Sequence, residues 1–189
     1  MRKKVGTTLV GYLLSVSRSH MNDLEGGITH TVKTTSDDDG VQDLITLLTS
    51  ITVAVKSVGA LVRTIGISSP SKRVKDGLSS ADRSMEEIAA VNKKANGIWI
   101  DALLYSQKAC VLVSEDVPEP VIVEDGMQGK YAVVFDPLTG LASPPSQDMG
   151  CIFGIFRKLT PGKAPGLEDI MQPGRNLVAA GYALYGSCT

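Results

Sequence analysis

Two short acidic stretches are the residues best suited to chemistry. Ser114, Glu115 and Asp116 follow the apolar run Val111–Val113, and Asp136 follows Val133–Phe135. Such β-branched runs, bounded by polar or Pro/Gly punctuation, read as short buried strands. The carboxylates therefore fall at strand ends, where α/β sheets gather the groups that bind ligands. Hard oxygen donors collected there suit Mg²⁺ or Mn²⁺, which take carboxylates, carbonyls and phosphate oxygens. Either acidic stretch alone reads more simply as a solvated turn.

The elements that must position these acids are legible around them. Leu44, Leu48, Ile51, Val55, Val58, Val62 and Ile65 recur at three-to-four spacing, after the acidic turn Ser36–Gly40 and before Gly66. That pattern predicts an amphipathic helix over 41–66 with a glycine stop. Residues 67–84 are Ser-rich, carry Pro and Gly, and read as a loop. Met85, Ile88, Val91, Ala95, Ile98, Ala102 and Leu103 form a second helical stripe over 85–107, weakened by Gly97. Trp99 on it reads as a packing residue. Val121–Val123 and Cys151–Phe156 read as further strands, and 176–185 as a helix.

Composition bounds the class. The 189 residues are 43% hydrophobic and 21% charged, with net charge −1, which fits one globular domain and gives no electrostatic case for nucleic acid. The three cysteines, Cys110, Cys151 and Cys188, lack any CxxC spacing and read as reduced thiols. No apolar run approaches a membrane span. The basic start followed by Leu9–Val16 looks faintly like a leader, but no A-x-A-like cleavage site follows it. Residues 1–40 read as a poorly ordered extension, 41–189 as the domain, and the cytoplasm as its location.

Four stretches, VLVSED, GKYAVVFDPLTG, GCIFGIFRK and MQPGRNLVAAGYALYGS, together resemble class I fructose-1,6-bisphosphatase. The resemblance runs from about Asp43 to Thr189, with an interruption between Ile67 and Asn92. It implies an α/β (α+β layered) fold with helices packed on a central mixed sheet, the N-terminal half of a sugar-phosphatase fold. It also implies Mg²⁺-dependent hydrolysis of the 1-phosphate of fructose 1,6-bisphosphate, in gluconeogenesis or related carbohydrate metabolism, and an oligomeric state.

Carried over residue by residue, the resemblance makes Glu115 a metal-bridging and catalytic residue. Asp116 stands where a second catalytic glutamate is usual. Asp136 and the Leu138 carbonyl match metal ligands. The family order Asp-Pro-Leu-Asp-Gly-Ser-Ser here reads Asp136-Pro137-Leu138-Thr139-Gly140-Leu141-Ala142. An acid is thus lost at Thr139, and two phosphate-contacting hydroxyls are lost at Leu141 and Ala142. Asp148 is the one acid left in the shortened loop that follows. The family's mobile acidic loop has no counterpart at 67–92, where Asn92 stands at the place of an aspartate. An AMP-like site is implied at Asp43, Lys130, Tyr131 and Arg157, although Val41 and Gln42 replace the Thr and Gly of its phosphate-binding turn.

Family members continue for about as many residues again, so the expected chain is an incomplete N-terminal domain with a sheet edge and an apolar helix face uncovered. The readings that follow are a phosphatase inactive as this chain stands, a regulatory or oligomerising partner of full-length relatives, or a truncated product without function.

Overall fold

The protein is seen as a computed structural model that describes residues 37–65, 85–141, 149–160 and 162–185. The loop predicted at 67–84, together with Ala142, Asp148 and Cys188, lies outside the described residues.

Helix α1 spans Asp37–Ile65 and helix α2 spans Met85–Ser106. The chain divides into two units between Thr49 and Ser50, inside α1. In the first unit the buried side chains of α1 are Ile45, Leu47 and Leu48; in the second they are Ile51, Ala54 and Val58. Leu44 is half-buried in the first unit, and in the second Val55 and Val62 flank the buried positions half-buried. By length and composition Gly40–Thr64 would also span a bilayer, contrary to expectation. Its Thr, Ser and Gly residues interrupt the apolar run without adding charge, so mean hydropathy stays high. Such a helix is equally the core helix of a globular protein, and Leu47, Ala54 and Val58 are fully buried here.

Five strands follow: β1 (Ala109–Ser114), β2 (Val121–Ile122), β3 (Tyr131–Thr139), β4 (Met149–Arg157) and β5 (Leu177–Tyr185). They form one mixed sheet in the order β2-β1-β3-β4-β5. The pair β1–β3 is parallel; the others are antiparallel. The connection between those parallel strands is residues 115–130, which carry β2, whereas the element just before β1 is helix α2. Trp99 on it is fully buried, with its ring stacked nearly parallel on Phe135 at 5.1 Å and 6.0 Å from Phe153. Between β2 and β3, Gly129 passes so close to Lys108 that a side chain there would overlap the Lys108 carbonyl.

The segment 176–185 is a strand, which overturns the predicted helix. Alanines favour a helix locally. Here β4 pairs with it from Met149↔Tyr185 to Phe156↔Leu177. Gly181, weak in a helix, suits the strand: an added Cβ would lie 2.7 Å from the Phe153 ring, which would have to shift. What lies uncovered is accordingly a sheet face rather than a helix face. Ile152, Tyr182 and Leu184 point away from Trp99 and are 58%, 77% and 57% exposed. Strand β5 forms one edge of the described sheet. A four-residue helix, α3 (Leu167–Ile170), packs Ile170 against Cys110, Val111, Ala132 and Phe156 at one end of this face.

Candidate active site

The parallel pairing of β1 and β3 brings the two acidic stretches together. Ser114 sits opposite Phe135, and the Glu115 N–H donates to the Phe135 carbonyl at 3.2 Å. Glu115 therefore lies beside Asp136. Buried Ser114 shapes the turn that follows: its carbonyl accepts from Val117 N–H at 3.3 Å and its hydroxyl from Asp116 N–H at 3.2 Å.

Asp136 does not end its strand, as expected, but lies within it. The β3–β4 register breaks between Asp136, opposite Ile152, and Thr139, opposite Gly150. Two residues of β3, Pro137 and Leu138, thus face one of β4, which is a bulge. Asp136 Oδ1 accepts from the Leu138 N–H at 3.0 Å and ties the bulge from one side. The buried Tyr185 hydroxyl donates to the Pro137 carbonyl at 3.2 Å from the other.

The carboxylates repel one another. A hydrogen bond with Asp136, which favours the protonated form, raises the Glu115 pKa most, and the charge of Asp136 adds to it. Burial and then Asp136 raise the Asp116 pKa. Among the described residues, no group of three or more His, Cys, Asp or Glu side chains is arranged to hold a metal. The site offers a carboxylate pair, Glu115 and Asp136, with Asp116 at its edge.

The remaining predicted residues fall in several places. Leu138 is buried, Thr139 is exposed, and Gly140 has φ +85°. Leu141 is 5% exposed, so its side chain belongs to the core and not to an open anion site. Lys130 and Arg157 are exposed, whereas Tyr131, opposite Arg157, is buried. Tyr131 and Asp136 lie five residues apart on one strand, about 17 Å, so these three residues are remote from the carboxylates. Asp43 lies on α1 in the first unit. Asn92 is on α2, half-buried, and its Oδ1, like that of Asn96, is buried without a hydrogen-bond partner among the described residues.

Beside the carboxylates runs a trough of about 650 Å³ on the open sheet face, lined by Val113, Val134, Ile152, Phe156, Leu177 and Tyr182. Sequence reasoning missed this trough, Tyr185 and a fully buried acid, Asp169. The alternation in LVAAGYALY was the one available signal for the first two.

The family model described as Fructose-1-6-bisphosphatase, N-terminal domain, matches residues 28–189. The chain belongs to the fructose-1,6-bisphosphatase family. Fructose-1,6-bisphosphatase 1 of Rattus norvegicus is 39% identical over 151 residues, covering 79% of this chain and 40% of the relative. The cytosolic fructose-1,6-bisphosphatase of Beta vulgaris is 44% identical over 106 residues. The holo crystal structure of Leishmania major fructose-1,6-bisphosphatase matches with a TM-score of 0.65 and 27% identity, covering 97% of this chain and 49% of that one. This member of the fructose-1,6-bisphosphatase family thus spans 40–43% of the length of the first curated relatives it matches.

Proposed function

We propose that Glu115 and Asp136 hold one divalent cation, Mg²⁺ by resemblance, at a sugar-bisphosphate site that does not turn over as this chain stands. The observation that carries this reading is the Glu115 N–H bond to the Phe135 carbonyl, which sets two like charges side by side, and the charges that shift the Glu115 pKa are those of Asp136 and Asp116. The residues fit the ion: Mg²⁺ commonly takes one or two carboxylates and completes its shell with water and phosphate oxygens. Asp116 would stand at its edge, and the Leu138 carbonyl is a further oxygen of the same bulge.

Bound there, the cation would draw in a phosphate and lower the pKa of a nearby water. This chain's own residues then fall short. Thr139 offers a hydroxyl where a second ion needs a carboxylate, and buried Leu141 offers the phosphate nothing. The substrate class proposed is fructose 1,6-bisphosphate, bound without hydrolysis. A cytosolic location is our reading from the Beta vulgaris relative, which is described as cytosolic.

Mn²⁺ titration followed by electron paramagnetic resonance tests the ion, and phosphate release from fructose 1,6-bisphosphate with Mg²⁺ tests turnover. Binding that disappears in Glu115→Ala, without phosphate release by either protein, is expected. Phosphate release that disappears in Glu115→Ala would overturn the inactive reading.

A second reading, an oligomerising partner of full-length relatives, is favoured by the exposed face of Ile152, Tyr182 and Leu184. Co-purification with such a relative, lost in Tyr182→Glu, would support it. A chain that stays monomeric in the relative's presence would exclude it.

A further inference from the structure

We infer that Tyr185, two strands away from the acids, is a positioning residue for the carboxylate pair. The inference rests on the cation reading above and deepens it. The bulge makes a local problem. Pro137 has no N–H, its carbonyl is enclosed, and the β3–β4 register gives neither Pro137 nor Leu138 a partner. Buried backbone polar groups need hydrogen-bond partners. Two side chains supply them from opposite sides. Asp136 Oδ1 accepts the Leu138 N–H at 3.0 Å, and the Tyr185 hydroxyl donates to the Pro137 carbonyl at 3.2 Å. The first bond sets the rotation of the Asp136 carboxylate. The second holds the backbone on which that carboxylate is carried.

Tyr185 is itself held firmly. It pairs with Met149 at the end of the β4–β5 ladder and is 7% exposed. Its ring lies against Gly59 of α1, where an added Cβ would stand in ordinary contact at 3.6 Å from Tyr185 Cδ1. Burial and the neighbouring Cys151 thiol raise the hydroxyl's pKa, so it remains a donor. A rigid donor reaching across β4 fixes the Pro137 carbonyl, and through it the direction in which Asp136 faces Glu115.

Tyr185→Phe keeps the ring and removes the donor. Two readouts separate this inference from the cation reading. The first is hydrogen exchange of the Leu138 amide relative to the other β3 amides. The second is Mn²⁺ affinity. In Tyr185→Phe the Leu138 amide should exchange about five- to tenfold faster and Mn²⁺ affinity should fall by a similar factor, the worth of one hydrogen bond. Tyr105→Phe, 85% exposed on α2 and away from the trough, should change neither. An unchanged Leu138 amide in Tyr185→Phe would overturn the positioning role, as would equal acceleration at every β3 amide, which marks general loosening. A wild-type protein without Mn²⁺ affinity would overturn the cation reading alone, leaving the Leu138 amide to decide the role of Tyr185.

Discussion

Asp169 and the Glu115–Asp136 pair are the same chemistry treated in opposite ways. Asp169 is fully buried in α3 and surrounded by donors. One of its oxygens accepts from the N–H groups of Leu159 at 2.7 Å and Thr160 at 3.2 Å. The other accepts from the Thr160 hydroxyl at 2.8 Å and the Gly166 N–H at 3.0 Å. Burial pushes its pKa up, yet these bonds together hold it below the ordinary value. At Glu115 the nearest charges are other carboxylates, and the pKa rises although the residue is exposed. A charge that the chain supplies with donors serves the fold. Acids that the chain sets against each other are left for a ligand to neutralise.

The largest effect expected is at Asp169. Asp169→Asn replaces one acceptor oxygen with an amide group aimed at donors, leaving buried N–H groups unpaired, and should cost about 3 kcal/mol. Urea unfolding measures it, and a loss under about 1 kcal/mol would make Asp169 no better satisfied than the pair. Its pH dependence has a definite sign. A folded-state pKa below the usual value of about 4 gives stability that is present above that value and lost as pH falls through the folded one. The gap between wild type and Asp169→Asn should therefore be full at pH 7 and narrow below about pH 4. A gap that widens in acid would contradict the lowered pKa. Thr160→Val, which removes one donor of the four, should cost about 1 kcal/mol by the same measurement.

These two regions also differ in how far the sequence disclosed them. Glu115 and Asp136 are legible because β-branched runs mark the strands they follow, and parallel pairing then sets Glu115, just past the end of β1, beside Asp136 within β3. The helices are legible from apolar spacing, although Leu47 and Ala54 take the buried positions assigned to Leu44 and Val55. Asp169 is silent because three of its four donors are backbone N–H groups, which every sequence has. Strand β5 is hidden for another reason. Its alanines carry a local preference for helix, and only the ladder to β4 overrules it. Tyr185 could not be assigned a role before that strand was in place. Leu141 shows the limit of motif transfer: the sequence shows a hydroxyl lost, but not that the replacement turns into the core.

Glu115→Gln gives the smallest effect and the sharpest contrast, because its sign is reversed. The folded-state pKa of Glu115 is raised, so neutralising it relieves repulsion that is present at pH 7 and absent once acid protonates the site. Without metal, the melting temperature of Glu115→Gln should exceed that of wild type slightly at pH 7, and the two should converge below about pH 4. With Mg²⁺ the order should change. A ligand that binds the folded chain stabilises it by about RT ln(1 + [L]/Kd), so Mg²⁺ should raise the wild-type melting temperature and leave the variant's unchanged. Asp169→Asn should keep the full Mg²⁺ increment from its lower baseline, since Asp169 already has its donors. If Glu115→Gln were destabilising without metal, Glu115 would be a structural acid like Asp169 and the contrast would fail. If Mg²⁺ raised both proteins equally, the ion would bind elsewhere, and the repulsion between Glu115 and Asp136 would have no ligand to explain it.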